Sequence, residues 1–393
     1  LKVAVMHRVT DTYGPVPYSQ IGSGAVTMEY DSQETIYRKF FEELGSAIDV
    51  LTAFNQAQPS TKVLEAYDNV FNGDVGKWVK FANTLRLRLA LRVVYADNAL
   101  AMEQAEASLN HTICVLYGAG DLRALHKPAA GAWEYPLYTI QYTFDDARIG
   151  ATIETYMNGY ADPRRAKYFT AGSDGNYHGV RNGIEINANY AASGLLSRIN
   201  CTVNDDITWM SPAEAWFLKA EYWLRKGDKS QARSCYEEGI RVAFSTSGVS
   251  GADGYIADTE NTPGTFTDVV NGGNSYNNKL TDVTVAWSDG AGFEKNLERI
   301  ITQKYIAIYP EGQEAWSEFR RTGYPKVIPY NVNRSNGAID TQRQIRRLNW
   351  PSTEYRTNAA NVNAAVSVLN RESSLPNGDN GGSRLWWDKN TRF

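Results

Sequence analysis

Apolar residues recur at helical spacing through much of the chain. In "DSQETIYRKFFEELGSAIDVLTAF" the positions Ile36, Phe40, Leu44, Ile48 and Leu51 mark one face, and Asp31 with Glu34 has the spacing of a capping box. Next, "DVGKWVKFANTLRLRLALRVVYAD" places Asp74 as N-cap and Trp78, Phe81, Leu85, Leu89 and Val93 on one face. Its centre alternates like a strand, but its length and flanking periodicity favour helix. "NALAMEQAEASL" follows as a third helix, and the first two hundred residues read as mostly helical.

The clearest unit is "SPAEAWFLKAEYWLRKGDKSQARSCYEEGIR" at 211–241. Ser211 is placed to cap, Pro212 fits the first helical position, and Glu214 completes the cap. Trp216, Ala220, Trp223, Gly227, Ala232, Tyr236 and Gly239 have tetratricopeptide spacing, in which small residues let two helices approach and aromatics fill between them. One such pair cannot bury its own face, so further helix pairs are expected to stack on it. From 245 to 292 the pattern is lost in a Gly-, Asn-, Ser- and Asp-rich insert, a length usually functional or mobile. Helix resumes at "FEKNLERIITQKYIAIYP", and the rest is loop-rich from 326 apart from a short helical run at 358–369.

Composition adds one lean. Aromatics are 12% of 393 residues, with 24 Tyr and 10 Trp, whose apolar faces and polar edges suit wet binding surfaces as well as cores. Forty Lys and Arg against 44 Asp and Glu give a net charge of −4, which offers no general attraction to nucleic acid or an anionic membrane. Three scattered cysteines and four histidines provide neither a disulfide framework nor metal-ligand spacing, so no metal or cofactor is expected. No apolar run reaches membrane-spanning length. The chain opens apolar at helical spacing without an initiator Met, so Leu1 is read as an internal position, with any targeting segment upstream.

Several pieces, in order, carry a resemblance: "YGPVPYS" at 13–19, "KWVKFANTLRLRLALR" at 77–92, "GYADPRRAKYF" at 159–169, "SPAEAWFLKAEYWLRKGD" at 211–228, "ITQKYIAIYPEGQEAWSEFRRTGYP" at 301–325, and "RRLNWPSTEYRTN" at 346–358. Together they resemble the SusD/RagB family of outer-membrane nutrient-binding lipoproteins, most of all its starch-binding-associated branch. The resemblance implies a mainly α fold: one domain over 1–393, N-terminally incomplete, of tetratricopeptide-like helix pairs with a loop-rich ligand-binding region and little β. It implies a lipid-anchored protein on the outer surface of Bacteroidetes that binds glycans, or peptides in some members, and passes them to a SusC-like TonB-dependent transporter. The membrane is then reached only through an upstream lipid anchor. "HTICVLYGAGDLRALHKP" at 111–128 departs from the family, and no site residue is placed there.

For a sugar site, exposed aromatic planes must stack on ring faces while planar Asn, Asp or Arg groups reach the hydroxyls. Loop aromatics fit this better than aromatics at helical spacing. The candidates are Trp133, Tyr135 and Tyr138 in a Pro-containing segment, Tyr177, His178 and Arg181 in the loop "GSDGNYHGVR", and Tyr276, Asn277, Trp287 and Asp289 in the insert. Trp78, Trp216 and Trp223 are assigned to the core. "DPRR" at 162–165 reads as a turn with a structural Arg, and Asp145, Asp146 and Arg148 as a helix start. A helical glycoside hydrolase using those two acids, and a peptide-binding or tetratricopeptide scaffold, are the alternatives; no catalytic motif favours an enzyme. "EAWSEFRRTGYP" reads as a helix end: Trp316 and Phe319 on one face, Arg320 and Arg321 in the last turn, Gly323 as the stop.

Overall fold

The computed structural model describes residues 1–117, 121, 124–126 and 134–393. Its elements in order are α1 (Lys2–Tyr13), α2 (Gln33–Ala57), α3 (Val75–Arg92), α4 (Asn98–Leu109), strand β1 (Ala124–His126), α5 (Ala151–Gly159), strand β2 (Ile207–Met210), α6 (Pro212–Arg225), α7 (Lys229–Thr246), α8 (Phe293–Ala307), α9 (Gly312–Thr322) and α10 (Ala359–Glu372), with a few helices of six residues or fewer between them. Among the described residues the only sheet is the antiparallel pair β1–β2, so the fold is mainly α.

Local chemistry sets most helix starts. Asp74 and Ser211 cap α3 and α6, accepting from the backbone N–H of Lys77 at 3.1 Å and of Ala213 at 3.2 Å. Two capping expectations are corrected. Ser32, not Asp31, caps α2, while the Asp31 carboxylate accepts from the N–H groups of Tyr18 and Ser19 and pins the preceding loop. Glu214 does not close the α6 cap; its carboxylate is buried against Arg88. The strand-like look of "LRLRLALR" also has a cause. Leu85, Leu87, Arg88, Leu89, Ala90, Leu91 and Arg92 are all buried, so the C-terminal half of α3 is buried on nearly every side and shows no single apolar stripe.

Helices α6 and α7 pack tightly, joined through Gly227 at φ 83°. A Cβ on Gly239 would lie 2.9 Å from the Phe217 ring, so only glycine permits this approach. Two apolar clusters meet along α6: Leu218 and Tyr222 face the one built on α2, α3 and Trp387, while Phe217 and Leu224 face the one built on α5, α7 and α8.

Residues 160–206 are not the helix that the opening pattern suggests. Beyond α5 they form loops and two short helical turns, and Asp162 grips the buried Arg164 through two oxygens. The 245–292 segment is irregular but packed. Phe266, Leu280, Val283 and Val285 are buried, and the hydroxyls of Tyr160 and Tyr236 donate to the carbonyls of Val283 and Val285. It is held by core contacts that carry no sequence period.

Inside the helical body lies a network of buried charge. Arg88 is bidentate to Glu214, Arg92 donates to Glu314 at 2.6 Å, Lys304 to Glu314 at 3.0 Å, and Arg321 is bidentate to Glu221 at 2.6 and 2.7 Å. Arg320, stacked 3.5 Å from the Trp316 ring, donates to the carbonyls of Asp11 and Arg346. Thus "EAWSEFRRTGYP" is a helix end, closed by Gly323 at φ 79°, and its charges belong to the interior.

Candidate functional site

Segment 134–149 presents aromatics outward because its other side chains and its backbone are tied down. The Tyr135 N–H donates to the Val203 carbonyl at 2.9 Å, and the buried Gln141 accepts from the Ile199 N–H at 2.7 Å. A helical turn at Pro136–Tyr138 widens into a π-helical turn at Thr139–Thr143. This leaves Ile140, Tyr142 and Phe144 39%, 36% and 62% exposed, a ledge of apolar surface on a loop. Tyr138 and Tyr142 sit one helical turn apart with ring centroids 5.0 Å apart.

The ledge runs directly into charge. The Arg198 guanidinium lies 5.4 Å from the Tyr142 ring and donates to the Gln141 carbonyl at 2.6 Å and to Asp145 at 2.5 Å. Asp145 also pairs with Arg148 at 2.8 Å. It stands at φ 58°, a conformation Asp tolerates better than most residues. Asp145 and Asp146 are therefore in a loop and not at a helix start, since α5 begins only at Ala151.

Asp145, Asp146 and Arg148 line a groove of about 420 Å³. It is also lined by the exposed Asn182, Ile186 and Asn187. Its buried floor residue Tyr190 is locked, donating to Asp268 at 2.7 Å and accepting from Asn274 at 2.6 Å. The volume lies within the usual range for a small-molecule site.

The sequence candidates divide among several places. Trp133 lies outside the described residues. Tyr138 is on the ledge, and Tyr135 is buried beneath it. Tyr177 packs on Phe169 and under Arg165, and His178 Nε2 lies 2.9 Å from Asp174. Behind that loop, burial pushes the Glu154 carboxyl up to about 7 while it accepts from the Gly179 N–H at 3.2 Å. Arg181 is buried and spent on the carbonyls of Pro329, Asn274 and Ser275. Tyr276 lies 5.5 Å from its guanidinium and lines a different cleft, next to the exposed Asn277. Trp287 packs on Tyr236 and donates to Asp289 at 3.0 Å, beside α7.

Residue reading passed over Tyr142, Phe144, Asn182, Asn187 and Arg198, and weighed Asp145 only as a catalytic acid or a helix start. One signal was available: "YTIQYTFDD" alternates Tyr138, Ile140, Tyr142 and Phe144 with polar residues and runs straight into two acids. Arg198 and the two Asn had none, because only folding brings them to that segment.

The family model of SusD-like proteins, described as Susd and RagB outer membrane lipoprotein, matches residues 1–388. A chitin-binding SusD homologue from Flavobacterium johnsoniae is 41% identical, with a TM-score of 0.90 over 98% of this chain and 79% of its own. A SusD homologue from Bacteroides uniformis is 40% identical (TM-score 0.91, 99% and 80% covered), and one from Bacteroides thetaiotaomicron 38% (TM-score 0.90, 99% and 80%). No curated protein matches the chain. Among the described residues no helix is long and apolar enough to cross a membrane. On these grounds the chain belongs to the SusD-like family of outer membrane lipoproteins.

Proposed function

We propose that the ledge and groove bind a glycan at the cell surface. Tyr138, Tyr142 and Phe144 offer apolar planes for sugar rings, and Asp145, Arg148, Asn182 and Asn187 offer donors and acceptors for their polar groups. The observation that carries this reading is the continuity of the exposed aromatic ledge with the polar groove through Asp145 and Arg198. A chitin-binding homologue at 41% identity makes chitin oligosaccharides the first ligands to test. The captured glycan is passed to a SusC-like TonB-dependent transporter, for which membership of a lipoprotein family of the outer membrane is the support.

The protein binds without turnover. Asp145 is engaged by Arg148 and Arg198, an ion-paired arrangement and not a free acid beside a free base. Calorimetric titration of chitin oligosaccharides, with a peptide panel alongside, tests the reading. Tyr142→Ala and Phe144→Ala should each weaken glycan binding by about tenfold or more, the loss of one good anchor. Unchanged affinity in both variants, or binding of peptides alone, would overturn the site. Reducing ends released by the wild type and lost in Asp145→Asn with Asp146→Asn would overturn the binding-only role.

A further inference from the structure

Three guanidiniums converge where segment 337–346 meets segment 375–384, at a pocket apart from the aromatic groove. Arg343, Arg346 and Arg384 line this space of about 330 Å³. Arg346 is buried and fully engaged: Nε and Nη2 donate to Asp388 at 2.8 and 2.7 Å, and further bonds go to the carbonyls of Arg320 and Arg343. Arg384 is 3% exposed; it donates to the carbonyl of Asn390 at 2.8 Å and to the main-chain oxygen of Phe393, while its Nε has no hydrogen-bond partner. Arg343 is exposed. Its N–H donates to Asp340, but its guanidinium has no partner among the described residues.

The three guanidiniums are not equally engaged: Arg346 is paired with Asp388 and Arg384 with main-chain oxygens, which leaves Arg343 as the one with unused donors open to solvent. The Asp340 Oδ1 is already taken by the N–H groups of Gln342 and Arg343, both at 2.8 Å. Burial, opposed by the pull of Asp388 and reinforced by repulsion from Arg346 and Arg343, leaves the Arg384 cation less stable than an ordinary guanidinium. A negative charge in the pocket relieves that repulsion. Guanidinium forks also match the planar or tetrahedral oxygens of carboxylate and sulfate, which an ammonium would not.

We propose that this pocket binds an oxyanion, the carboxylate or sulfate group of a ligand, held directly by Arg343 in the positive field of Arg346 and Arg384. The chain links it to the groove: the N–H groups of Asn331 and Val332 donate to Gly183, beside groove residue Asn182, and the same strand of chain continues into the 337–346 segment. The proposal stands whether or not the groove takes a glycan.

Thermal denaturation of the full chain in sodium sulfate, against sodium chloride at equal ionic strength, tests it. Sulfate should raise Tm saturably in the wild type. Arg343→Gln should weaken the sulfate response about tenfold or more, and Arg343→Lys should keep part of it. Because Arg343 is exposed, the ligand-free Tm of Arg343→Gln should equal that of wild type, and Tyr142→Ala should leave the sulfate response intact. Equal sulfate responses in wild type and Arg343→Gln would overturn the proposal. An oligogalacturonate that competes with sulfate identifies a sugar-borne carboxylate as the source; sulfate binding without that competition identifies a free inorganic anion.

Discussion

The buried charge network of α3, α6, α8 and α9 and the groove beside Tyr142 use the same vocabulary: Arg, a carboxylate and an aromatic ring. They differ in what is left over. In the interior Arg321 gives its guanidinium to Glu221 and Glu318, and Arg320 is spent on carbonyls and the Trp316 face. On the ledge Tyr142 and Phe144 remain open to solvent, as do Asp145, Asn182 and Asn187 in the groove. Aromatic and charged residues in proximity therefore do not define a binding site here. What sets the proposed site apart is that its rings and polar groups still reach solvent.

The sharpest way to break this comparison is to remove a charge from the interior. Arg321→Ala leaves Glu221 and Glu318 buried without their shared partner and should cost about 3–5 kcal/mol in urea denaturation. A loss under about 1 kcal/mol would show that the interior network is as dispensable as a surface ion pair.

Glu154 lies between the two regimes, being a buried carboxyl beneath an exposed loop. Its folded value of about 7 stands above the ordinary 4.5, so the folded protein holds that proton more tightly than the unfolded chain does. The resulting stability is complete below about pH 4.5 and is lost as pH rises through about 7, amounting to roughly 3 kcal/mol at 1.4 kcal/mol per pH unit. Glu154→Gln should flatten the stability profile between pH 5 and 8, as read by denaturation at several pH values. A slope identical to wild type would show that the carboxyl is not held protonated there.

Gly323 sharpens the reading of the helix end. At φ 79°, with an added Cβ 2.8 Å from the Phe393 ring, Gly323→Ala should cost about 1–2 kcal/mol by the same measurement. The smallest effect belongs to the ledge. Phe144→Ala should change stability by no more than about 0.5 kcal/mol while weakening glycan binding, and Tyr142→Ala by about 1 kcal/mol, since its hydroxyl donates to the Ile199 carbonyl at 2.9 Å. A large stability loss in either would place them with the interior.

Much of the fold was legible from local pattern. Helix periodicity, the caps at Asp74 and Ser211, the small residues of 211–241 and the stop at Gly323 are properties of a few consecutive residues. The ordered series of motifs identified the family in the same way. Asp31 and Glu214 were misread because each has a plausible local role and a distant partner that wins: the loop at Tyr18 for one, Arg88 for the other.

Whether a charged or aromatic side chain is saturated or free was settled only in three dimensions. Arg88 meets Glu214 across 126 positions and Arg321 meets Glu221 across 100, so no window of sequence reveals that these charges are spent. The groove is likewise assembled from 145–150 and 180–191, and the ledge beside it is held because Gln141 and Tyr135 are anchored to residues beyond 198. Sequence fixes helices through bonds between near neighbours. Leftover binding capacity is a balance over distant ones, which only tertiary packing strikes.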